Sequence, residues 1–122
     1  MSERLHNVLL SVGVDNVEFF PAVLTNTSTG EEFKYYAYKL VGAVSLMDAG
    51  QSEYETYKNT APVADTTIHK FVADESKAHG LLMFRMAESI TAIVVHESVK
   101  NAIKDAGIDT LEFINPEHYV NI

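Results

Sequence analysis

No cysteine occurs among the 122 residues, so disulfides, thiolate metal sites and thiol nucleophiles are excluded outright. That absence agrees with a reducing compartment. No apolar run approaches the length needed to span a bilayer; the longest, Ile90 to Val95, is strand-sized. The chain opens Met1-Ser2-Glu3-Arg4, charged and polar where a secretory leader has its apolar core. The expected location is therefore cytoplasmic, with no membrane partner. The glycosylation-like triplet Asn26-Thr27-Ser28 is expected to be idle, because it would need a secretory route.

Positive charge is scarce. Nine Lys and Arg face seventeen Asp and Glu, for a net charge of −8. The imbalance is even along the chain: residues 1–61 hold four basic and eight acidic side chains, and residues 62–122 hold five and nine. A nucleic-acid binder needs a basic face to neutralise phosphates, and no Lys/Arg cluster exists, so no nucleic-acid partner is expected. Two readings of the acidity stay open: plain solubility, or a field that attracts a basic partner. The 47% hydrophobic and 21% charged fractions are those of an ordinary globular chain. The length suits one domain, taken as 1–122, that buries roughly two-thirds of its unfolded surface without staples.

Catalytic patterns are also missing. His6, His69, His79, His96 and His118 form no helical pair at metal-ligand spacing, and there is no His-Glu-x-x-His. Glu75 and His79 could share a helical face, but two ligands do not make a metal site. The serines lack a Gly-x-Ser-x-Gly elbow, and Gly30, Gly42 and Gly50 are too scattered to cradle phosphates. The adjacent acids Glu31-Glu32 and Asp74-Glu75 sit in turn-like surroundings and read as solvated charges. The expectation is a protein without catalytic residues, cofactor or metal.

What is present is a mixture of helical and strand periodicities. Leu5, Val8, Leu9 and Val12 recur at helical spacing, with Ser2 as N-cap and Gly13 at the C-terminal end. Val17 to Leu24 reads as a strand, and Pro21 within it predicts an edge position or a bulge. After the Thr25–Gly30 turn cluster, Phe33 to Met47 reads as a second strand bulged at Gly42, so the pair should form a hairpin. Asp48 to Thr66 is polar and aperiodic, a functional loop or a disordered one. Thr67–Ala73, Leu81–Met86 and Thr91–His96 read as short strands. A helix follows through Val99, Ala102, Ile103 and Ala106, then Gly107 and a last strand, Leu111–Ile114. The fold class is α+β: a mostly antiparallel sheet of about six strands with two short helices.

The two helix–glycine–strand units match at a constant offset of 94 residues. Leu5, Val8, Leu9 and Val12 align with Val99, Ala102, Ile103 and Ala106. Gly13 aligns with Gly107, Asp15 with Asp109, Glu18 with Glu112 and Phe19 with Phe113. Duplication and convergence on common helix-ending chemistry both account for this, and both predict similar local geometry with one backbone sign at the two glycines.

Arg85 is the one charged residue in the apolar run Leu81 to Met86. Alternation places it with Leu81 and Met83, either in a structural ion pair with a carboxylate or as a binding-site arginine.

The order of these features resembles the eleventh numbered family of polymorphic-toxin immunity proteins. The residues that carry the likeness are Glu18-Phe19-Phe20-Pro21, then Tyr35-Tyr36-Ala37-Tyr38 through Asp48. They continue with Phe84-Arg85, Ile93-Val94-Val95, and the helix–glycine–strand run from Val99 to Phe113. The resemblance implies a non-catalytic bacterial antidote that binds a cognate protein toxin and blocks it. Its candidate partner surface is Asp48, Glu53, Tyr54, Glu55 and Tyr57, where aromatic anchors and charge combine, although a merely solvated loop accounts for the same residues. The alternatives are a self-associating structural module, hence a homodimer, or a small-ligand-binding protein with a pocket around Arg85 and the tyrosines.

Overall fold

The computed structural model describes residues 1–56 and 66–120. Helix α1 (Glu3–Val12) starts at Ser2, whose extended backbone lets its hydroxyl accept from the Leu5 N–H at 3.2 Å. Helix α2 (Glu97–Asp105) starts at His96 in nearly the same backbone conformation, its ring nitrogen accepting from the Ser98 N–H at 3.1 Å. The helices also end alike. Gly13 and Gly107 have φ of 98° and 73°, and each N–H reaches back to a carbonyl, at Leu10 and Lys104 respectively. The following N–H groups, of Val14 and Ile108, bond to Leu9 and Ile103. This is the Schellman ending, closed in both units by the apolar pair that normally accompanies it. The offset of 94 therefore marks matching geometry through each helix and its glycine.

An L-residue at these φ values is strained by about 1–2 kcal/mol. At Gly13 an added methyl would meet Leu82 at an ordinary 3.8 Å, whereas at Gly107 it would lie 3.3 Å from an Arg4 guanidinium nitrogen. That guanidinium donates to the Ala106 carbonyl and would have to shift to make room for the methyl. Gly107→Ala is expected to lower stability more than Gly13→Ala, which urea melts of the two variants would order.

Strands β1 (Val17–Thr25) and β2 (Glu32–Leu40) form the expected hairpin, in unbroken antiparallel register from Val17 opposite Leu40 to Thr25 opposite Glu32. Pro21 thus marks an edge strand without a bulge. The Asn26 side chain closes the turn by accepting from the Ser28 N–H at 2.9 Å. Beyond Leu40 the chain turns at Gly42, where φ is 95°, and the expected long second strand ends there. Its remainder, β3 (Ala43–Val44), leaves the hairpin for a different sheet. It pairs in parallel with β6 (Met83–Met86), which pairs antiparallel with β7 (Ser89–Val95). Two short strands, β4 (Glu53–Glu55) and β5 (Thr67–Lys70), form a third sheet.

The two-helix α+β class holds, but the single sheet of about six strands does not. Among the described residues seven strands divide into three small sheets of two, three and two. The turn at Gly42 is the cause, since it carries the backbone out of register with β1. The segment expected as one loop from Asp48 to Thr66 contains β4. The expected strand Thr67–Ala73 is ordered as strand only to Lys70, Ala73 making an isolated bridge with Met47. Leu111–Ile114 is not a strand: among the described residues no ladder partner reaches it, and the chain goes on to a single 3₁₀ turn at Pro116–His118. The second unit of the 94-residue match therefore stops at its glycine.

The core has two centres. Leu9, Val14, Leu40, Met83, Val99 and Ile103 pack between the helices and the hairpin root. Leu46, Met47, Ile68, Phe71, Phe84 and Met86 pack between the two remaining sheets. Strand alternation links them, because β6 sends Met83 to the first and Phe84 and Met86 to the second.

Candidate partner surface

Four of the five loop residues singled out in the sequence lie on and beside the β4–β5 pair, in different roles. Asp48 organises the turn into it: one carboxylate oxygen accepts from the N–H groups of Gly50 at 3.0 Å and Gln51 at 3.3 Å, the other from the Gln51 amide at 2.9 Å. Tyr54 lies opposite Ile68 and packs on the second core centre. Glu53 and Glu55 point away from it and are exposed, opposite Lys70 and Thr67. Glu55 also lies 3.6 Å from the His69 ring. Tyr57 falls outside the described residues. Two of the five, Glu53 and Glu55, thus form an outward acidic edge, while Asp48 and Tyr54 hold it in place.

Arg85 does follow Met83 on its face of β6, but further along, where that face meets solvent. Its guanidinium donates to the Ile90 carbonyl at 2.9 Å, and no carboxylate pairs with it among the described residues. The buried acid lies nearby and was not legible in the sequence. Glu88, in the β6–β7 turn, is 0% exposed. One of its oxygens accepts from the Ser45 hydroxyl at 2.5 Å and the Met47 N–H at 3.4 Å, and the other has no partner among the described residues. These bonds tie the β6–β7 turn to the segment that follows β3. The only warning in the sequence is an acid between Met86-Ala87 and Ser89-Ile90, and a register shift at Arg85/Met86 defeats alternation there.

Backbone hydrogen bonds join the β1–β2 hairpin to the N-terminus at its outer β2 edge. There the N-terminal ammonium donates to the Tyr36 carbonyl at 2.6 Å, and the Tyr36 N–H donates to the Met1 carbonyl at 2.8 Å. From α1, His6 stacks on Tyr36 with centroids 3.9 Å apart and meets Phe19 edge-on at 4.5 Å. Glu3 pairs with Lys34 at 2.9 Å, and that hydrogen bond raises the Lys34 pKa above its ordinary value. These contacts brace the root and middle of the hairpin on one face.

An open groove of about 760 Å³ runs between β7, α2 and residues 112–116, with Ile93, Phe113 and Ile114 along it and Lys100 and Lys104 at its rim. Neither Arg85 nor the β2 tyrosines line it. Among the described residues no group of three or more His, Asp or Glu could hold a metal ion, and no helix is long and apolar enough to cross a membrane.

Comparison with protein families decides the wider question. The immunity protein family (Imm11) matches residues 1–117. The chain belongs to this family. No curated protein matches the sequence. The residues that carry the Imm11 likeness include packing residues on both sides of the fold: Phe19 against the first core centre, Phe84 and Val94 in the second, Val99 and Gly107 around α2. They mark the architecture of the immunity protein more than its contacts.

Proposed function

We propose that this Imm11 protein is a bacterial antidote that acts in the cytoplasm, neutralising a cognate toxin domain by direct binding and without catalysis. The family match over residues 1–117 is the observation that carries this reading. The geometry is in keeping with it. Side chains of the kinds that do chemistry elsewhere are engaged here in architecture: Asp48 in a turn, His96 in a helix cap, Glu88 in a buried tie. The net charge of −8 and the outward Glu53 and Glu55 favour encounter with a basic toxin.

Co-expression with the product of the neighbouring gene tests the proposal. The expected result is restored growth together with a complex that survives purification. A neighbour that stays toxic in the presence of abundant folded antidote would overturn it. Glu53→Gln/Glu55→Gln is expected to slow association severalfold at low salt while leaving dissociation nearly unchanged, as for charges at an interface rim. Stopped-flow mixing of the purified pair reads both rates.

A further inference from the structure

In the outer half of the β1–β2 hairpin, strand β1 is apolar on both faces, and among the described residues its side chains stay largely exposed. Phe20, Leu24 and Phe33 share one face, because Leu24 lies directly opposite Phe33 and Phe20 is in phase with Leu24. They are 52%, 51% and 44% exposed. Val23 points to the other face and is 63% exposed. Continuous apolar sequence on both sides of a strand is the pattern of a strand sandwiched on both faces. A two-stranded hairpin on its own is also marginal in water and needs packing against something. Here α1 covers one face as far as Tyr36 and reaches Lys34, opposite Val23, through the Glu3 ion pair. Contiguous exposed apolar surface of this kind marks an interaction site.

We infer that this outer half, Phe20 to Leu24 with Phe33, is the docking element for the toxin, inserted into an apolar cleft on the partner that is edged by Lys and Arg. The inference rests on the antidote reading and adds to it the surface and the character of its complement. Charge selects the partner. The hairpin carries Glu18, Glu31 and Glu32 against Lys34 and Lys39, and Lys34 is already paired with Glu3. The tip beside Phe33 is therefore acidic, through Glu31 and Glu32. A second copy of this chain would bring two such tips together, on two molecules each of net charge −8. A basic-rimmed cleft meets attraction instead. The β1 edge, unpaired among the described residues, contributes less, since Pro21 lacks the N–H that strand addition along it would need.

The test uses the purified chain and the toxin domain encoded beside it. In the triple variant Val23→Thr/Leu24→Thr/Phe33→Thr, exposed apolar groups are exchanged for a residue that retains strand preference, so folding should be kept and is checked by thermal melting. The expected result is a loss of toxin affinity of roughly a hundredfold or more, as for central anchors of an interface, together with loss of growth rescue. A second variant, Glu31→Lys/Glu32→Lys, alters only the exposed tip and should slow association by about tenfold or more at low salt. A photo-cross-linker placed at Val23 of the otherwise unaltered chain should capture the toxin. Wild-type chain and folded triple variant binding the toxin equally well would overturn the docking assignment and leave the antidote reading standing. Failure of the wild-type chain to bind would overturn both, and cross-linking of Val23 to a second copy of the chain would replace the toxin with a homodimer.

Discussion

Glu88→Ala should destabilise the protein by roughly 2–4 kcal/mol. The carboxylate is fully buried, and truncating it takes the acceptor from the buried Met47 N–H and from the hydroxyl of Ser45, an exposed residue whose hydroxyl water can reach. A buried donor left unsatisfied costs about 1–3 kcal/mol, and the small cavity adds to that. Glu88→Gln should cost less than Glu88→Ala, because the amide oxygen keeps both donors and the volume is unchanged. Ser45→Ala should also be costly, since it removes the shorter of the two bonds and leaves the buried acid with the 3.4 Å contact. The pair should be coupled. Ser45→Ala/Glu88→Ala is expected to cost less than the sum of the single changes by about 0.5–3 kcal/mol. Urea denaturation of the four proteins measures the cycle, and simple additivity would show that the bond has no energetic consequence.

Truncation in the first core centre should be as severe. Leu9→Ala and Ile103→Ala each remove a nearly fully buried side chain from the contact between the two helices, for an expected loss of about 2–5 kcal/mol each. Each residue also supplies the carbonyl and the apolar contact of its helix's Schellman ending, so the loss reaches the turn that follows. Leu10→Ala serves as the contrast. It is one residue along the same helix but half exposed, and its substitution should move stability by no more than about 0.5 kcal/mol. Urea midpoints of the three variants separate the cases; comparable losses at Leu9 and Leu10 would contradict the two-centre core.

Those residues also show how much of the molecule was legible in its sequence. The helix positions, the Ser2 cap, the glycine endings and the β1–β2 hairpin follow from local rules: spacing of 3.6, a short polar side chain at one end, a left-handed residue at the other. Such rules act within a turn or two of chain, and a single sequence displays them. The candidate surface was half legible. Glu53 and Glu55 do face outward, but Tyr54 joins the core and Asp48 holds a turn, because β5 pairs with this segment from a dozen residues away. The hairpin's two-sided apolar pattern was present in Val17 to Leu24, yet a strand sandwiched within a sheet has the same pattern. Only the exposure of these side chains among the described residues distinguishes them.

By itself the sequence determined the α+β composition, the acidity, the exclusion of thiol chemistry and the order of features that resembles the immunity family. Each is a property of residue types or of their near spacing. Tertiary structure alone decided that the strands divide into three sheets and that Leu111–Ile114 stays unpaired. It also decided that Glu88 is buried and that, among the described residues, the hairpin's outer half is left exposed. Each of those depends on which distant segments meet, and one backbone angle at Gly42 is enough to send a strand to a different partner.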